Sequence, residues 1–176
     1  ACLKKIALDK DNLKFTEINF NDFPKWFINR TKNLSLVEKN DFINNFFLRP
    51  DLHLVFKNKN ELENFEFEIK KTSKVSGFLK ESIGVEKINS FKKGTWWVQD
   101  FSSSFPIINI DKKLIRGRSI DLCAAPGGKS FQILSMGKKI KLNDKSISRI
   151  NLIKENLNRL NFQTEILNFD ALKFRE

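Results

Sequence analysis

The most regular pattern of hydrophobic and polar positions lies in the last third of the chain. Apolar residues recur there every three or four positions, at Ile147, Ile150, Ile153, Leu157 and Leu160. This spacing predicts an amphipathic helix that Ser146 can cap. Short apolar runs at residues 139–142 and 164–167 predict strands on either side, and another strand begins at Ser119 and leads into a helix at 131–134. Strand–helix–strand–helix–strand with short connections predicts parallel pairing and right-handed crossovers.

The first half of the chain has a weaker pattern. Residues 22–44 predict short helices around a polar turn, and residues 46–50 and 52–56 predict strands with Pro50 at a break or edge. Residues 1–20 have no clear periodicity. We interpret 1–21 as a linker or the end of a preceding domain.

The middle of the chain is more distinctive. Residues 58–60 predict a turn and 61–67 a helix or strand, whereas 75–83 predict a helix that ends at Gly84. Trp96, Trp97 and Val98 predict an apolar strand, and the hydroxyl-rich segment 102–104 predicts the start of a helix towards Ile110. We therefore expect a small α/β subdomain over 22–98 and the first half of a parallel sheet over 99–176.

Charge and composition restrict the partners. The 176 residues carry a formal net charge of +11, which favours a polyanionic partner, RNA or DNA before a membrane. Lys, Asn, Ile and Phe are abundant together, as is also expected from an AT-rich genome. The positive charge alone therefore does not show whether the chain binds nucleic acid or only reflects the composition of its genome. Hydrophobic residues make up 40% of the chain, enough for a core.

Apolar runs and cysteines exclude several classes of protein. No apolar run approaches the roughly 20 residues of a membrane span, so no membrane association is expected. The two cysteines, Cys2 and Cys123, are far apart and predict neither a disulfide framework nor a metal site. Reduced thiols favour the cytoplasm.

The segment 121–130, Asp-Leu-Cys-Ala-Ala-Pro-Gly-Gly-Lys-Ser, carries the most specific chemistry. It predicts a strand end, a tight glycine turn and a helix whose free N–H groups point at a ligand. Asp121 at the strand end and Pro126 in the turn favour a nucleoside cofactor over a bare phosphate. The phosphate loop of nucleotide triphosphatases is the competing interpretation, but it requires glycine where the chain has Cys123. The dinucleotide pattern G-x-G-x-x-G also does not match.

Acidic residues follow all three predicted parallel strands, at Asp121, Asp144 and Asp170. Ligands of open parallel sheets bind beyond the carboxyl ends of the strands, and a ribose-binding acid lies roughly 20 residues after the glycine loop. Asp144 is close to that spacing, and Asp170 would lie next to it, within reach of an adenine amino group. Each aspartate alone is better explained as a helix cap or a turn residue. Three at successive strand ends favour a nucleoside site.

These residues carry a family resemblance. The loop 121–130, preceded by Gly-Thr-Trp-Trp-Val-Gln-Asp at 94–100 and by residues 23–30, resembles the bacterial Sun/Fmu family of RNA cytosine-5 methyltransferases, especially its ribosomal RNA members. The resemblance extends from about Asp22 to the last residue and includes Arg149 and the helix segment 155–160. It implies an α/β fold, the front half of a Rossmann-like S-adenosylmethionine methyltransferase sheet preceded by a small α/β RNA-recognition-like subdomain.

The resemblance also implies residue roles. Asp144 would hold the ribose of S-adenosylmethionine, Asp170 would lie by the adenine, and Ser130 keeps the hydroxyl of the family's usual Thr. The segment that would wrap the cofactor consists of Cys123, Ala124, Ala125, Pro126, Gly127, Gly128 and Lys129.

The resemblance implies a reaction whose nucleophile we expect beyond Glu176. In the family, a thiolate adds to C6 of cytosine so that C5 can accept the methyl group, and a second cysteine assists product release; both lie after the third strand of the sheet. We expect Cys123 to be a buried packing thiol. The resemblance thus predicts an RNA methyltransferase that acts on ribosomal RNA. This piece would supply its cofactor loop and RNA-binding subdomain but would not turn over. A non-catalytic RNA-binding protein of the same fold and a phosphate-loop-like nucleotide-binding protein remain alternatives.

Other side chains that invite a functional interpretation have simpler explanations. His53, the only histidine, lies between leucines in a predicted strand, which favours a structural role. Trp96 and Trp97 would point to opposite faces of a strand, so at least one belongs to the core. Gln99 and Asp100 are expected to fix the junction between subdomains. The lysine pairs 70–71 and 92–93 are candidate phosphate contacts, but the simpler explanation is that they lie on a solvent-exposed face.

Overall fold

The computed structural model describes residues 19–46, 51–81, 83–116 and 119–173. The expectations for the linker at 1–18 and for a strand at 47–50 lie outside these ranges. The chain divides between residues 50 and 51 into two compact units, which are described separately.

The first unit consists of two short helices. A 3₁₀ turn at Phe20–Asp22 precedes α1 (Lys25–Arg30) and α2 (Leu36–Phe46), which confirms the helices predicted over 22–44. Phe46, expected to begin a strand, instead ends α2. Phenylalanine rings hold the unit together with centroids 5.2 to 6.2 Å apart, from Phe20, Phe23, Phe27, Phe42 and Phe46.

The second unit begins with a four-stranded antiparallel sheet of order β2-β3-β1-β4. Its elements are β1 (His53–Phe56), α3 (Lys59–Glu63), β2 (Ile69–Ser73), β3 (Ser76–Leu79) and β4 (Trp96–Val98). The strands predicted around 52–56 and 96–98 are confirmed. Asn58 caps α3 by accepting from the Glu61 N–H at 3.1 Å, so the predicted turn at 58–60 is the start of this helix.

The helix predicted over 75–83 is wrong, because residues 76–79 form β3. Gly77 shows why this segment pairs as a strand. A Cβ at this position would lie 2.3 Å from the Ile69 side chain and 2.6 Å from the Lys70 carbonyl oxygen, so only glycine allows β2 to come this close. The apolar spacing alone fits either element, and the pairing with two non-local strands decides between them.

The two tryptophans of β4 lie on opposite faces of the sheet. Trp96 packs with Leu54 and Phe56 in one apolar cluster, whereas Trp97 belongs to a second cluster with Phe131 and Leu142. Both indoles are buried, which confirms that at least one belongs to the core. Burial also argues against either indole as a stacking platform for bases.

The remainder of the second unit is the predicted parallel sheet, of order β5-β6-β7. Its elements are α4 (Phe101–Ile108), β5 (Ile120–Asp121), α5 (Gly128–Ser135), β6 (Lys141–Asn143), α6 (Ile147–Arg159) and β7 (Ile166–Leu167). The apolar stripe of α6 is buried at Ile150, Ile153 and Leu157, but Ile147 is exposed. Among the described residues, no helix is long and apolar enough to cross a membrane.

Candidate functional site

A cavity of about 300 Å³ lies where the carboxyl end of β5 meets the amino end of α5. Because parallel strands all end at this edge, it is the position at which open α/β sheets bind ligands. The loop supplies one wall and the start of α4 the other. The lining residues are Val98, Gln99, Asp100, Ser103, Asp121, Cys123, Ala124, Ala125, Pro126, Gly128 and Lys129.

Gly127 makes the turn of the loop possible. Its φ of +113° lies in a region that side chains with a Cβ rarely adopt, and a Cβ there would lie 2.1 Å from the Phe131 ring. The residue is therefore a structural glycine beneath the cavity. Gly128, which lines the cavity, begins α5, whose first N–H groups have no partner within the helix.

The backbone of Ala125 is held on both sides. Its N–H donates to Asp144 Oδ2 at 3.2 Å, and its carbonyl accepts from the Arg149 guanidinium at 3.0 Å. The next residue of the loop is held in the same way, because Asn156 donates to the Pro126 carbonyl at 3.3 Å. Asn156 lies two turns after Arg149, so both side chains extend from the same face of α6. Thus α6 fixes the conformation of the loop before any ligand arrives.

Asp121 connects the strand to the start of α5. One carboxylate oxygen accepts from the Ser130 hydroxyl at 2.7 Å, and the other from the Cys123 N–H at 3.3 Å. Ser130 is fully buried, so its hydroxyl needs this partner. The contact gives a physical reason for a hydroxyl residue at the end of the loop.

The opposite wall carries further charges. Asp100 caps α4, and hydrogen bonds from the Ser102 hydroxyl and the Ser103 N–H lower the pKa of its carboxyl. Lys129 donates to the Ser103 hydroxyl at 2.7 Å across the cavity rim. Two carboxylates and one ammonium group therefore line the cavity.

The structure separates the predicted site residues into two groups. Six of the seven loop residues line the cavity, whereas Gly127 is buried beneath it. Asp144 is also buried and bonds the loop from behind, and Asp170 forms an ion pair with Lys145 at 2.9 Å. Neither acid belongs to the cavity lining. The expectation that Cys123 is buried is wrong, because its side chain is exposed where the loop leaves the sheet.

Four residues gain a role at the cavity that the sequence did not indicate, and one of them is the helix cap Asp100. Val98 and Ser103 line it, and Gln99 lines it while also accepting from Trp97 Nε1 at 2.8 Å and donating to Gln132 Oε1 at 2.9 Å. The hydroxyl-rich start of α4 was the available signal for Ser103. Sequence alone does not show that this helix start lies opposite the loop.

His53 has the structural role expected of it. It is 3% exposed, and its ring nitrogens bond the Gln99 carbonyl and the Thr72 hydroxyl, each at 2.8 Å. Both nitrogens are used within the sheet.

The parallel sheet, the glycine loop and the acids at the strand ends define a Rossmann-like methyltransferase fold. Two solved structures share it. PH0851 matches 94% of this chain and 42% of its own with a TM-score of 0.70 at 22% identity. A methyltransferase homologue from Pyrococcus horikoshii matches 84% of this chain over 52% of its own length, with a TM-score of 0.63 at 20% identity.

The family follows from the sequence of the same region. Residues 115–176 match the family model described as 16S rRNA methyltransferase RsmB/F. The predicted resemblance to the Sun/Fmu family is confirmed.

Two curated relatives are similar to part of this chain. The probable ribosomal RNA small subunit methyltransferase B of Coxiella burnetii is 32% identical over 93 residues, which are 51% of this chain and 21% of the relative. The ribosomal RNA small subunit methyltransferase B of Photorhabdus laumondii is 37% identical over 83 residues, 46% of this chain and 19% of the relative. The chain spans about a fifth of the length of these relatives.

Proposed function

We propose that this chain is the cofactor-binding part of an S-adenosylmethionine-dependent methyltransferase that acts on C5 of cytosine in RNA. The observation that carries the proposal is the charge pattern of the cavity at the start of α5. Asp100 and Asp121 face it together with Lys129, so the lining suits a zwitterionic amino acid attached to a nucleoside. The same two carboxylates disfavour a triphosphate, because like charges within a few ångströms repel.

The residues of the chain fit the methionyl group of the cofactor. Lys129 and the free N–H groups of α5 suit its carboxylate, and the carboxylates of Asp100 and Asp121 suit its ammonium group. When bound, S-adenosylmethionine supplies an electrophilic methyl group on a sulfonium. Cys123, Ala124, Ala125, Pro126, Gly127, Gly128 and Lys129 then form the cofactor loop, with Asp144 towards the ribose and Asp170 towards the adenine.

The match of residues 115–176 to the RsmB/F family model supports ribosomal RNA as the substrate. The resemblance assigns the attacking thiolate to a cysteine beyond Glu176. Cys123 is exposed, but it lies in the cofactor loop, where a thiol would meet the methionyl group and not the base. The chain alone is therefore expected to bind cofactor weakly and to transfer no methyl group.

Amide chemical shifts of the ¹⁵N-labelled chain, titrated with S-adenosylhomocysteine to millimolar concentration, test the cofactor assignment. The expected shifts are confined to residues 121–130 and to the neighbourhoods of Asp144 and Asp170. Lys129→Met should weaken binding severalfold, whereas the exposed Lys154→Met on α6 should not. Stronger shifts of the same loop with Mg-ATP than with S-adenosylhomocysteine would overturn the assignment.

Incubation of the chain with tritium-labelled S-adenosylmethionine and unmodified 16S rRNA tests whether the chain alone transfers a methyl group. Absence of label in the RNA is expected from the chain alone, with label appearing when the parent protein is used. Label incorporated by the chain alone would show that the nucleophile is already present.

A further inference from the structure

A second cavity, of about 610 Å³, lies at the opposite end of the helix pair formed by α4 and α5. Asp100, Ser103, Gly128 and Lys129 at the amino ends of these helices line the first cavity. Ile108, Ser135 and Met136 at their carboxyl ends line the second. The eight residues of α5 span about 12 Å, so this length separates the two cavities.

The rim of the second cavity is basic. Lys57, Lys59, Lys74 and Lys112 line it, and its lining contains no acidic residue. Lys74 and Lys112 are exposed, and neither forms an ion pair within the described ranges. Lys59 is paired with Glu63 at 3.2 Å. Two ammonium groups are therefore free to contact an anion.

The floor of the cavity is apolar. Ile108 and Met136, which are partly exposed, provide its accessible surface, and the buried Val55 and Trp97 lie beneath them. Lys57 lies deeper than the other lysines, with its Nζ 4.8 Å from the centroid of the Phe162 ring, and burial lowers its pKa. An apolar pocket beside unpaired ammonium groups matches a planar base attached to phosphates.

We propose that this cavity binds an unstacked base of a single-stranded RNA, with the neighbouring phosphates on Lys74 and Lys112. This inference rests on the proposed function and extends it, because it assigns an RNA contact on the far side of α4 and α5 from the cofactor loop. The chain's charge of +11 provides the long-range attraction for such a strand.

Fluorescence anisotropy of a short labelled single-stranded RNA tests the lysines. The double variant Lys74→Gln/Lys112→Gln should weaken binding about tenfold at low salt and reduce the slope of log K against log salt by about 1.4, the value for two phosphate contacts. The control Lys87→Gln/Lys154→Gln removes the same charge from exposed positions outside the cavity lining. Equal affinities and slopes for the two double variants would overturn the proposal.

A variant that fills the cavity tests the base. Ser135→Trp adds an indole at the rim without changing the charge. It should weaken the binding of single-stranded RNA severalfold, while the dependence of the affinity on salt stays as in the wild type. Circular dichroism verifies that the variant is folded. Unchanged affinity in the folded variant, or equal wild-type affinity for a duplex of the same length, would refute base insertion.

The two proposals can fail separately. If S-adenosylhomocysteine shifts the loop amides but the lysine variants bind RNA like their controls, only the second cavity is excluded as an RNA site. If the wild-type chain does not bind single-stranded RNA, the inference is overturned while the cofactor assignment stands on its own titration.

Discussion

Replacement of Gly127 by alanine tests whether the loop conformation depends on this residue. The φ of +113° lies beyond the left-handed helical region, and holding alanine there costs about 1–3 kcal/mol. The new Cβ would also lie 2.1 Å from Cζ of Phe131. This ring is 2% exposed and contacts Trp97 and Phe162, so it moves only by disturbing the core, at a cost of about 1–3 kcal/mol. We expect the free energy of unfolding to fall by about 3 kcal/mol or more.

Gly137→Ala is the matched control. Gly137 also has a positive φ, of +72°, but a Cβ there meets no atom within 4 Å. This variant therefore has the milder strain of the left-handed helical region and no contact, and it should lose only about 1 kcal/mol. Urea denaturation followed by circular dichroism gives both values.

The double variant Gly127→Ala/Phe131→Leu separates the contact from the strain. Removing the ring relieves the overlap, so the double variant should be less destabilised than the two single changes together. Equal losses for Gly127→Ala and Gly137→Ala would refute the argument, because the Phe131 contact would then cost nothing.

Two further side chains lead to stability predictions. Burial lowers the pKa of His53 from 6.5, so the unfolded chain takes up a proton that the folded chain resists as the pH falls through that value. The free energy of unfolding should thus decrease below about pH 6.5 by at most about 1.4 kcal/mol per pH unit, and less steeply in His53→Gln; equal slopes in urea titrations would contradict this. Arg159 donates to the Phe91 and Trp96 carbonyls at 3.0 and 3.1 Å and lies 4.1 Å from the centroid of the Phe91 ring, so Arg159→Met should cost about 2–4 kcal/mol in thermal denaturation. The exposed Arg116→Met is its control, and a matching loss there would count against this role for Arg159.

The parallel half of the fold could be predicted from sequence because its signals are local. The stripe at Ile150, Ile153 and Leu157 belongs to one helix, and the glycine pair marks one turn. The strand β3 could not be predicted in this way. Its residues pair with β1 and β2, and the close approach at Gly77 depends on Ile69 and Lys70 of a neighbouring strand.

The candidate site shows the same division between local and non-local signals. The loop 123–129 is contiguous, so its place at the cavity follows from the motif. Ser103 and Gln99 reach the cavity only because α4 packs against α5, and the exposure of Cys123 depends on how the loop leaves the sheet. Contacts between distant segments determine these features, and a single sequence carries no pattern for them.

The three strand-end acids each bond the protein itself. Asp121 holds Ser130, Asp144 holds the Ala125 N–H, and Asp170 holds Lys145. A structural role and a binding role are therefore compatible, because a carboxylate has about four acceptor sites and these contacts leave some free. The structural role comes first, before any ligand binds. Contacts made within the protein fix the loop beforehand, so that a ligand does not have to supply the free energy for ordering it.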